Sequence, residues 1–357
     1  MARIDLDNIA HSYDPQAEQP VYALEKCRLS WRDGGRYAVL GPSGCGKTTM
    51  LNIMSGIVQP SEGRILFDDE DVTRYRTAER NIAQVFQFPV IYNTMTVGQN
   101  LAFPLVCRDA PKQVITRKVA EVAETLGLEN LLNRAASRLT ADQKQLISLG
   151  RGLVRDDVAA ILMDEPLTVI DPDLKFRLRR KLKEINEFYK STLIYVTHDQ
   201  NEAMTFANEI VVMDQGKVVQ IGTPQELFER PQTTFVGYFI GAPAMNMFEV
   251  QISGKNRVKL EDFDLQTETD LGQLKTANIK LGIRSEFVQL AAKKAVNTIE
   301  TQIERVDDLG SYQLVSARLG ARAVKLKVKS EQPVPDGKAW LKLPAEHCCI
   351  YADEKLV

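Results

Sequence analysis

The sequence predicts an α/β domain with a parallel sheet, followed by a small all-β barrel. Short apolar runs typical of strands buried on both faces occur at 37–40, 82–86, 159–163 and 192–197. Segments with apolar residues at helical spacing lie between these runs, as expected for an open parallel sheet. From residue 245 onward, apolar and polar residues alternate in short strands separated by loops that contain glycine. We therefore expect domains over residues 1–240 and 241–357, with a linker at 241–244.

Composition and charge narrow the possible classes of function. A hydrophobic content of 44% in 357 residues is ordinary for a protein with about two cored domains. A formal net charge of −2 gives no electrostatic reason to expect nucleic acid or an anionic membrane surface as a partner. The sequence contains no run of about 20 apolar residues that could span a bilayer, and its N-terminus lacks the apolar stretch of a signal peptide. Any role at a membrane is therefore expected to depend on partner proteins.

A complete phosphate-binding loop follows the first of the predicted strands. It consists of Gly41, Pro42, Ser43, Gly44, Cys45, Gly46, Lys47 and Thr48. After Thr49, apolar residues recur at helical spacing up to Ile57, so strand, loop and helix occur in the required order. A glycine-rich turn with an unrelated lysine would not require these flanks. The loop amides and the positive helix end face phosphates, Lys47 adds charge and Thr48 ligates Mg²⁺, so we expect a nucleoside triphosphate as ligand.

The cysteines indicate a reducing compartment. Their number, five, is odd, and Cys45 lies in the phosphate-binding loop, where a disulfide would obstruct the site. Cys348 and Cys349 are adjacent, and two small buried residues on a strand are a better explanation than a redox pair or half of a metal site. The number and placement of the cysteines therefore favour a location of the protein in the cytosol.

Polar side chains follow three further strands at the point where each strand ends. These are Gln87 after 82–86, Asp164 and Glu165 after 159–163, and His198 after 192–197. Because the carboxyl ends of parallel strands meet at one edge of a sheet, we expect them near Lys47. Taken singly, His198 could be a structural histidine, and the acidic pair the solvent-facing start of a helix. Together these residues predict transfer of a γ-phosphoryl group to water, a reaction that depends on positioning and charge stabilisation.

These residues and their order resemble the ATP-binding subunits of ABC transporters, and the resemblance covers the whole chain. It implies that ATP and Mg²⁺ bind here, with Thr48, Gln87 and Asp164 near the metal. It also implies that Glu165 polarises the attacking water, and that His198 orients the γ-phosphate and that water. The expected activity is therefore ATP hydrolysis.

The resemblance also assigns contacts with nucleotide and with other subunits. Asp171 matches the aspartate of a loop that reaches across a dimer, and residues 88–155 match the family's helical subdomain. Gln87 belongs to the loop that touches membrane subunits, and the neighbouring side chains of our candidate dock are Phe88, Pro89, Val90 and Tyr92. Core packing of these four residues is an equal alternative. Tyr13 matches the aromatic residue that stacks on adenine, although packing at the end of its own strand explains it nearly as well.

One segment departs from the family pattern. Where the family has Leu-Ser-Gly-Gly-Gln, this chain has Leu139, Thr140, Ala141, Asp142 and Gln143. In the family, this signature opens a helix that grips the γ-phosphate bound to the opposite subunit. Here Asp142 adds a carboxylate where an anion would bind, and two unit charges about 4 Å apart repel by roughly 4 kcal/mol at an effective dielectric near 20. The segment also fits a capping box, with Asp142 complementing the helix dipole, and both interpretations can hold.

This departure predicts an asymmetric dimer. The chain keeps the nucleotide-binding and hydrolytic half of a site, so it needs a second ATPase subunit with an intact signature. A homodimer would have two damaged sites. The partner's own nucleotide would meet residues 140–142 and is expected to turn over poorly.

Segments in the second half narrow the resemblance to importers. Residues 241–246 and 281–286 resemble the joints of the accessory domain, an OB-like or TOBE-like barrel, in ATPases that import maltose, glycerol phosphate and other carbohydrates. The altered signature, together with residues 86–92 and 167–172, most resembles one of the two different ATPase subunits of bacterial glycerol importers. This implies two integral membrane permease subunits, a periplasmic solute-binding protein that acts indirectly, and a peripheral location on the cytoplasmic face of the inner membrane. The lysines at 324–329 are interpreted as a solvated face, because no aromatic residues alternate with them as in nucleic-acid sites.

Other classes of protein fit parts of the sequence. A soluble ABC protein acting on DNA or ribosomes would usually carry two ATPase cores or a coiled-coil insertion, neither of which is found here. A noncatalytic regulatory subunit would explain the altered signature but not the intact Lys47, Glu165 and His198. An importer ATPase for another sugar or for glycerol phosphate is the nearest alternative to a glycerol importer.

Overall fold

The computed structural model of the protein describes residues 2–168, 170–274, 276 and 278–357, apart from the side chains at 188 and 189. The chain divides into two compact units, Met1–Pro224 and Gln225–Val357. The first unit is α/β and the second is mostly β, which confirms the predicted fold class. Within the described ranges, no helix combines the length and the apolar character needed to cross a membrane.

The first unit is built on a six-stranded sheet. Its strands are β3 (Arg36–Leu40), β6 (Ala83–Val85), β7 (Ile161–Asp164), β8 (Leu193–Thr197), β9 (Glu209–Asp214) and β10 (Lys217–Gly222). Across the sheet their order is β10-β9-β3-β8-β7-β6; five of them run parallel, and β10 is antiparallel to β9. The four apolar runs recognised in the sequence are therefore neighbours in one sheet.

A second, antiparallel sheet packs with the phosphate-loop helix in the same unit. Its strands are β1 (Ile4–Ser12), β2 (Tyr22–Trp31), β4 (Glu62–Phe67) and β5 (Glu70–Asp71), and the helix α1 is Lys47–Ser55. The strand order is β2-β1-β4-β5, and the apolar side chains of this sheet share a core with those of α1. This arrangement places the end of β1 beside the beginning of α1.

Helices of the first unit surround a second core. Three of them, α2 (Val97–Val106), α3 (Lys112–Leu126) and α4 (Ala141–Leu153), pack together within the predicted range 88–155. The others are α5 (Pro172–Tyr189) and α6 (Gln200–Phe206). Because α5 follows β7 and α6 follows β8, both helices begin at the sheet edge where those strands end.

The second unit contains two antiparallel sheets around one apolar core. The six-stranded sheet contains β11 (Asn246–Gly254), β12 (Arg257–Leu260), β13 (Phe263–Gln266), β14 (Ile279–Ile283), β20 (Cys349–Ala352) and β21 (Lys355–Leu356). The five-stranded sheet contains β15 (Gln289–Ala291), β16 (Thr298–Asp308), β17 (Tyr312–Leu319), β18 (Arg322–Lys329) and β19 (Lys338–Lys342). Along β18, Val324, Leu326 and Val328 are buried and the lysines between them are exposed or half-buried, as expected for a solvated face.

The division between the units lies earlier than the predicted boundary between residues 240 and 241. Two short helices, α7 (Pro224–Glu229) and α8 (Thr234–Phe239), lie almost entirely in the second unit. The reason is Arg284, a fully buried residue of that unit whose guanidinium donates hydrogen bonds to the carbonyl oxygens of Phe228, Gly237 and Ile240. The guanidinium of Arg284, which is distant in sequence, thus holds both helices. Local composition does not reveal this contact.

The two adjacent cysteines of the second unit, Cys348 and Cys349, have different environments. Cys348 precedes β20 and is buried, and burial raises the pKa of its thiol to about 12. Cys349 begins β20 and is half-buried. All five cysteines are free. The expectation of two buried strand residues therefore holds only in part, because the strand begins one residue later.

Candidate nucleotide site

Glycines shape the phosphate-binding loop between β3 and α1. Gly44 and Gly46 have φ angles of 79° and 98°, and Gly46 is the N-cap of α1. At Gly41, a Cβ atom would lie 2.3 Å from the carbonyl oxygen of Met213, so a side chain has no room there. The loop can therefore curl tightly against β9 and lead into the N-terminus of α1, where helix amides attract anions.

Lys47 lies over this curl. Its Nζ donates to the carbonyl oxygens of Gly41 and Pro42, each at 2.8 Å, and the residue is only 5% exposed. Cys45 is also buried, and burial raises the pKa of its thiol. The loop therefore carries one positive charge at its centre and a neutral thiol beneath it.

Thr48 and Asp164 form a pair suited to a hard divalent cation. The Thr48 hydroxyl donates to Asp164 Oδ1 at 3.4 Å across the gap between α1 and the end of β7. Burial, and next the charge of Glu165, raise the pKa of Asp164, while Thr48 and Lys47 act in the opposite direction. Hydroxyl and carboxylate oxygens are the ligands that Mg²⁺ prefers. Among the described residues, no group of three or more His, Cys, Asp or Glu side chains is placed to hold a metal ion.

The Glu165 carboxylate is held from three directions. Oε1 lies 2.9 Å from His198 Nδ1, and Oε2 accepts from Gln87 Nε2 at 3.3 Å. Thr168 donates to Oε2 at 3.3 Å and to the Glu165 carbonyl oxygen at 3.0 Å. The backbone of Glu165 is left-handed, with φ of 43°, which is uncommon for a residue with a side chain. Three strand ends thus converge on one carboxylate, and Thr168 is a contact that the sequence reasoning missed.

The side chain of Gln87 contacts Glu165. Its amide donates a hydrogen bond to Oε2 of the Glu165 carboxylate. The residue before it, Phe86, accepts a hydrogen bond through its carbonyl oxygen from the fully buried Gln145 of α4 at 3.1 Å. The predicted metal contact of Gln87 therefore remains a prediction, whereas its proximity to Glu165 is a feature of the structure.

Tyr13 lies at the end of β1 beside the loop. Its hydroxyl and the Thr49 hydroxyl are 3.1 Å apart, and its ring meets His11 edge to face with centroids 4.6 Å apart. The residue is nevertheless 66% exposed. Burial lowers the pKa of His11, which keeps this neighbour neutral. The ring thus packs by one edge and exposes most of its surface, so the structure accommodates both interpretations of Tyr13.

The altered signature and Asp171 each begin a helix. At the start of α4, the Thr140 N–H donates to Gln143 Oε1 at 3.2 Å, and the Thr140 hydroxyl donates to the Asp142 carboxylate. Asp171 is the N-cap of α5 and accepts from the Asp173 N–H at 3.0 Å. Among the described residues, no hydrogen bond or ion pair joins either segment to the phosphate-binding loop of the same chain.

This fold and loop define an α/β nucleoside triphosphatase. Residues 24–168 match the family described as ABC transporter. The chain is 38% identical to the sn-glycerol-3-phosphate import ATP-binding protein UgpC of Psychromonas ingrahamii, over 82% of this chain and 76% of that one. It is 40% identical to the trehalose import ATP-binding protein SugC of Mycobacterium tuberculosis, over 82% and 74%. The chain therefore belongs to the ATP-binding proteins of the ABC transporter family, which are ATPases that bind ATP with Mg²⁺.

Solved structures agree with this assignment. The dimeric ATP-binding cassette MJ0796 bound to ADP and Pi is 27% identical, with a TM-score of 0.56 over 62% of this chain and 98% of that one. CbiO1 from Clostridium perfringens, part of the ABC transporter complex cbiONQ, is also 27% identical, with a TM-score of 0.58 over 64% and 90%. Both likenesses cover somewhat less than two thirds of this chain.

Proposed function

We propose that this chain is the ATP-hydrolysing subunit of an importer for a carbohydrate or polyol, with glycerol as the solute. Relatives named for the import of glycerol phosphate and trehalose support the importer class. The observation that carries the catalytic part is the Glu165 carboxylate held by His198 and Gln87. Glycerol rests only on the resemblance of residues 139–143, 86–92 and 167–172, so another sugar or glycerol phosphate is the alternative solute.

The proposed reaction is in-line attack of water on the γ-phosphorus of ATP. Lys47 and the loop amides hold the phosphates and offset their charge, while Thr48 and Asp164 hold Mg²⁺, which supplies charge neutralisation when bound. Glu165 accepts the proton of the attacking water through its carboxylate. His198 keeps that carboxylate oriented through Nδ1 and donates toward the γ-phosphate from the other ring nitrogen. The reaction yields ADP and phosphate.

A Glu165→Gln substitution tests this proposal. The amide preserves the shape of the side chain but does not accept the proton, so we expect hydrolysis to fall by about 10² or more, the usual share of general-base assistance. Binding of ATP should stay within about twofold, because Lys47 and the loop are unchanged. The rate is measured in the assembled complex. Hydrolysis at the wild-type rate would contradict the assignment of Glu165.

The partner proposed for the second ATPase position is a different subunit with an intact signature. Support comes from Asp142, whose carboxylate occupies the first turn of α4 and accepts from Thr140. A helix start already neutralised in this way attracts phosphate weakly. The proposed dimer therefore has one efficient site, formed by this chain's Glu165 and the partner's signature.

The proposed membrane partners are two integral permease subunits. A periplasmic solute-binding protein is proposed as an indirect partner. The candidate dock for the permease subunits is the loop after Gln87, where Phe88 is 72% exposed and Val90 is 53% exposed. The fully buried Asn100 exchanges hydrogen bonds with the Tyr92 backbone at 2.8 and 3.0 Å. The Arg151 guanidinium lies 4.8 Å from the Tyr92 ring centroid. A preformed loop with exposed apolar side chains fits a short helix of a partner, at the cytoplasmic face of the inner membrane.

Extraction of the complex in mild detergent separates this proposal from its rivals. We expect two integral membrane proteins and a second ATPase to copurify with the full-length chain. Ribosomes or DNA in the extract would instead favour the soluble class. Recovery of the chain as a homodimer with two permeases would contradict the asymmetric partner.

A further inference from the structure

Glu202 of α6 is a buried carboxylate outside the site described above. It is 4% exposed, and its Oε2 accepts from the Tyr195 hydroxyl and the Thr197 hydroxyl, each at 2.9 Å. Its Oε1 lies 3.4 Å from Lys175 Nζ and 3.8 Å from Arg179 Nη1. A buried charge is costly unless it is fully paired, so each of these partners matters to the position of Glu202.

The hydrogen bonds that Glu202 accepts from Tyr195 and Thr197 connect it to the backbone next to His198. Thr197 is the last residue of β8 and directly precedes His198. Its hydroxyl donates to Glu202 and accepts from the Asp199 N–H at 3.0 Å, so the backbone is braced on both sides of the histidine. Burial, followed by the charge of Glu202, raises the pKa of Tyr195 well above its usual value, which keeps the phenol a donor.

The ion pairs of Glu202 with Lys175 and Arg179 connect it to α5, the helix that follows the loop at Asp171. Lys175 and Arg179 lie in the first two turns of α5, the helix that begins after the Asp171 N-cap. One carboxylate therefore joins the helix attached to Asp171 with the strand end that presents His198. The imidazole of His198 in turn lies 2.9 Å from Glu165.

We propose that Glu202 is a positioning residue for hydrolysis, which sets His198 against Glu165 according to the position of α5. The inference rests on the proposed role of His198. If α5 shifts when a partner meets Asp171, Lys175 and Arg179 draw Glu202 with them, and Thr197 transmits the shift to His198. Hydrolysis would thus respond to the dimer contact through buried ion pairs rather than through the loop at Asp171 alone.

The test is a Glu202→Gln variant of the full-length chain. The amide keeps an acceptor oxygen for Thr197 and removes the attraction for Lys175 and Arg179. We expect kcat of the assembled complex to fall by about tenfold to a hundredfold, the usual range for residues that orient a catalytic group, with ATP affinity within about twofold. The matched control is Glu184→Gln, which removes an exposed carboxylate of α5 that pairs with Arg180 at 3.2 Å.

A spectroscopic readout separates positioning from general damage. The chain has three histidines, so the ring signals of His198 can be assigned by their loss in His198→Ala. We expect Glu202→Gln to shift these signals and Glu184→Gln to leave them unchanged. A folded Glu202→Gln protein with wild-type kcat and unshifted His198 signals would overturn the inference.

Two further variants keep the inference testable if Glu202→Gln does not fold. Thr197→Ser keeps the hydroxyl that bonds Glu202, and Thr197→Val keeps the shape without it. We expect the serine variant to retain kcat and the valine variant to lose about tenfold. Equal rates in the two would overturn the inference. Wild-type hydrolysis in His198→Ala would overturn the proposed role of His198 as well, whereas loss in His198→Ala with normal Glu202→Gln overturns only the positioning role.

Discussion

At the scale of single residues, two neighbouring carboxylates at the end of β7 have different surroundings. Asp164 is buried beside Thr48, and that burial raises its pKa. Glu165 instead accepts hydrogen bonds from Gln87 and Thr168 and meets His198. An ionised Asp164 is therefore a cost that a bound cation would offset, whereas the Glu165 carboxylate is oriented by its neighbours, as its proposed role requires.

An Asp164→Asn substitution should stabilise the ligand-free protein. The folded state disfavours the ionised carboxylate, so destabilisation develops as the pH rises from the ordinary value of 3.8 through the raised pKa of the folded protein. At pH 7 we expect the free energy of unfolding to increase by about 1 kcal/mol, a typical single-residue effect. The gain should disappear as the pH falls toward 3.8.

Thermal unfolding with and without ATP and Mg²⁺ measures this effect. The asparagine variant should lose most of the stabilisation that Mg²⁺ and ATP confer together, because it offers a neutral ligand. Asp262→Asn, at an exposed position of the second unit, is the control and should change neither quantity. A lower melting temperature for Asp164→Asn at pH 7 would contradict the prediction.

At the scale of elements, we propose that two surfaces of the helical segment 88–155 meet partner subunits. The N-terminus of α4 carries Thr140 and Asp142, which bond each other. The loop after β6 carries the exposed Phe88 and Val90. In both places the local structure is complete without a partner, so any partner must compete with, or add to, contacts already formed within this chain.

Restoring glycine at Ala141 and Asp142 should activate the partner's site. The double substitution removes the carboxylate that repels phosphate, and a gain of about tenfold corresponds to about 1.4 kcal/mol, less than the bare repulsion. The measurement is ATPase activity of a complex that carries Glu165→Gln in this chain, so that the remaining turnover reports the partner's site. Ala141→Gly alone keeps Asp142 and serves as the control. Unchanged residual turnover would show that Asp142 does not suppress that site.

A charge at the candidate dock should uncouple transport. We expect Val90→Asp to lower solute uptake by about tenfold or more, because a carboxylate buried in an apolar interface is costly. ATP binding by the isolated chain should stay unchanged, since Val90 lies outside the loop of Lys47. Val296→Asp, at a position that is also exposed, is the matched control. Normal uptake by Val90→Asp would contradict the candidate dock.

At the scale of the whole molecule, the chain would contain one half of each site in the proposed dimer. It supplies the phosphate-binding loop, Asp164, Glu165 and His198 for one nucleotide, and the altered signature for another. In that dimer, each site is completed by the signature of the opposite subunit. The asymmetry of the proposed dimer therefore follows from the residues 139–143 of this chain.

Total ATPase activity of the complex should reveal that asymmetry. Glu165→Gln in this chain is expected to remove about nine tenths of the activity or more, since only the poorly active site would remain. The equivalent substitution in the partner should remove less than about half. Retention of about half the activity after Glu165→Gln would mean that both sites work equally, and would contradict the asymmetric dimer.

Much of the fold and part of the site could be predicted because their signals are local. Apolar runs bounded by polar residues identified the strands β3, β6, β7 and β8, and the spacing of glycines with Lys47 identified the loop. The boundary at residue 225, the Thr168 contact with Glu165 and the Glu202 contacts were not predicted. Each of the missed contacts depends on which side chains meet after packing, and the nearby sequence does not encode that choice.

The sequence by itself determined the class of chemistry, since a phosphate-binding loop and polar residues at strand ends need only the right order along the chain. The tertiary structure decided which of these groups touch. It joined Gln87, Glu165 and His198 through three parallel strands, and it attached α7 and α8 to the second unit through Arg284. The physical reason is that hydrogen bonds and ion pairs form over about 3 Å, so they depend on side-chain positions that are set only when distant segments pack together.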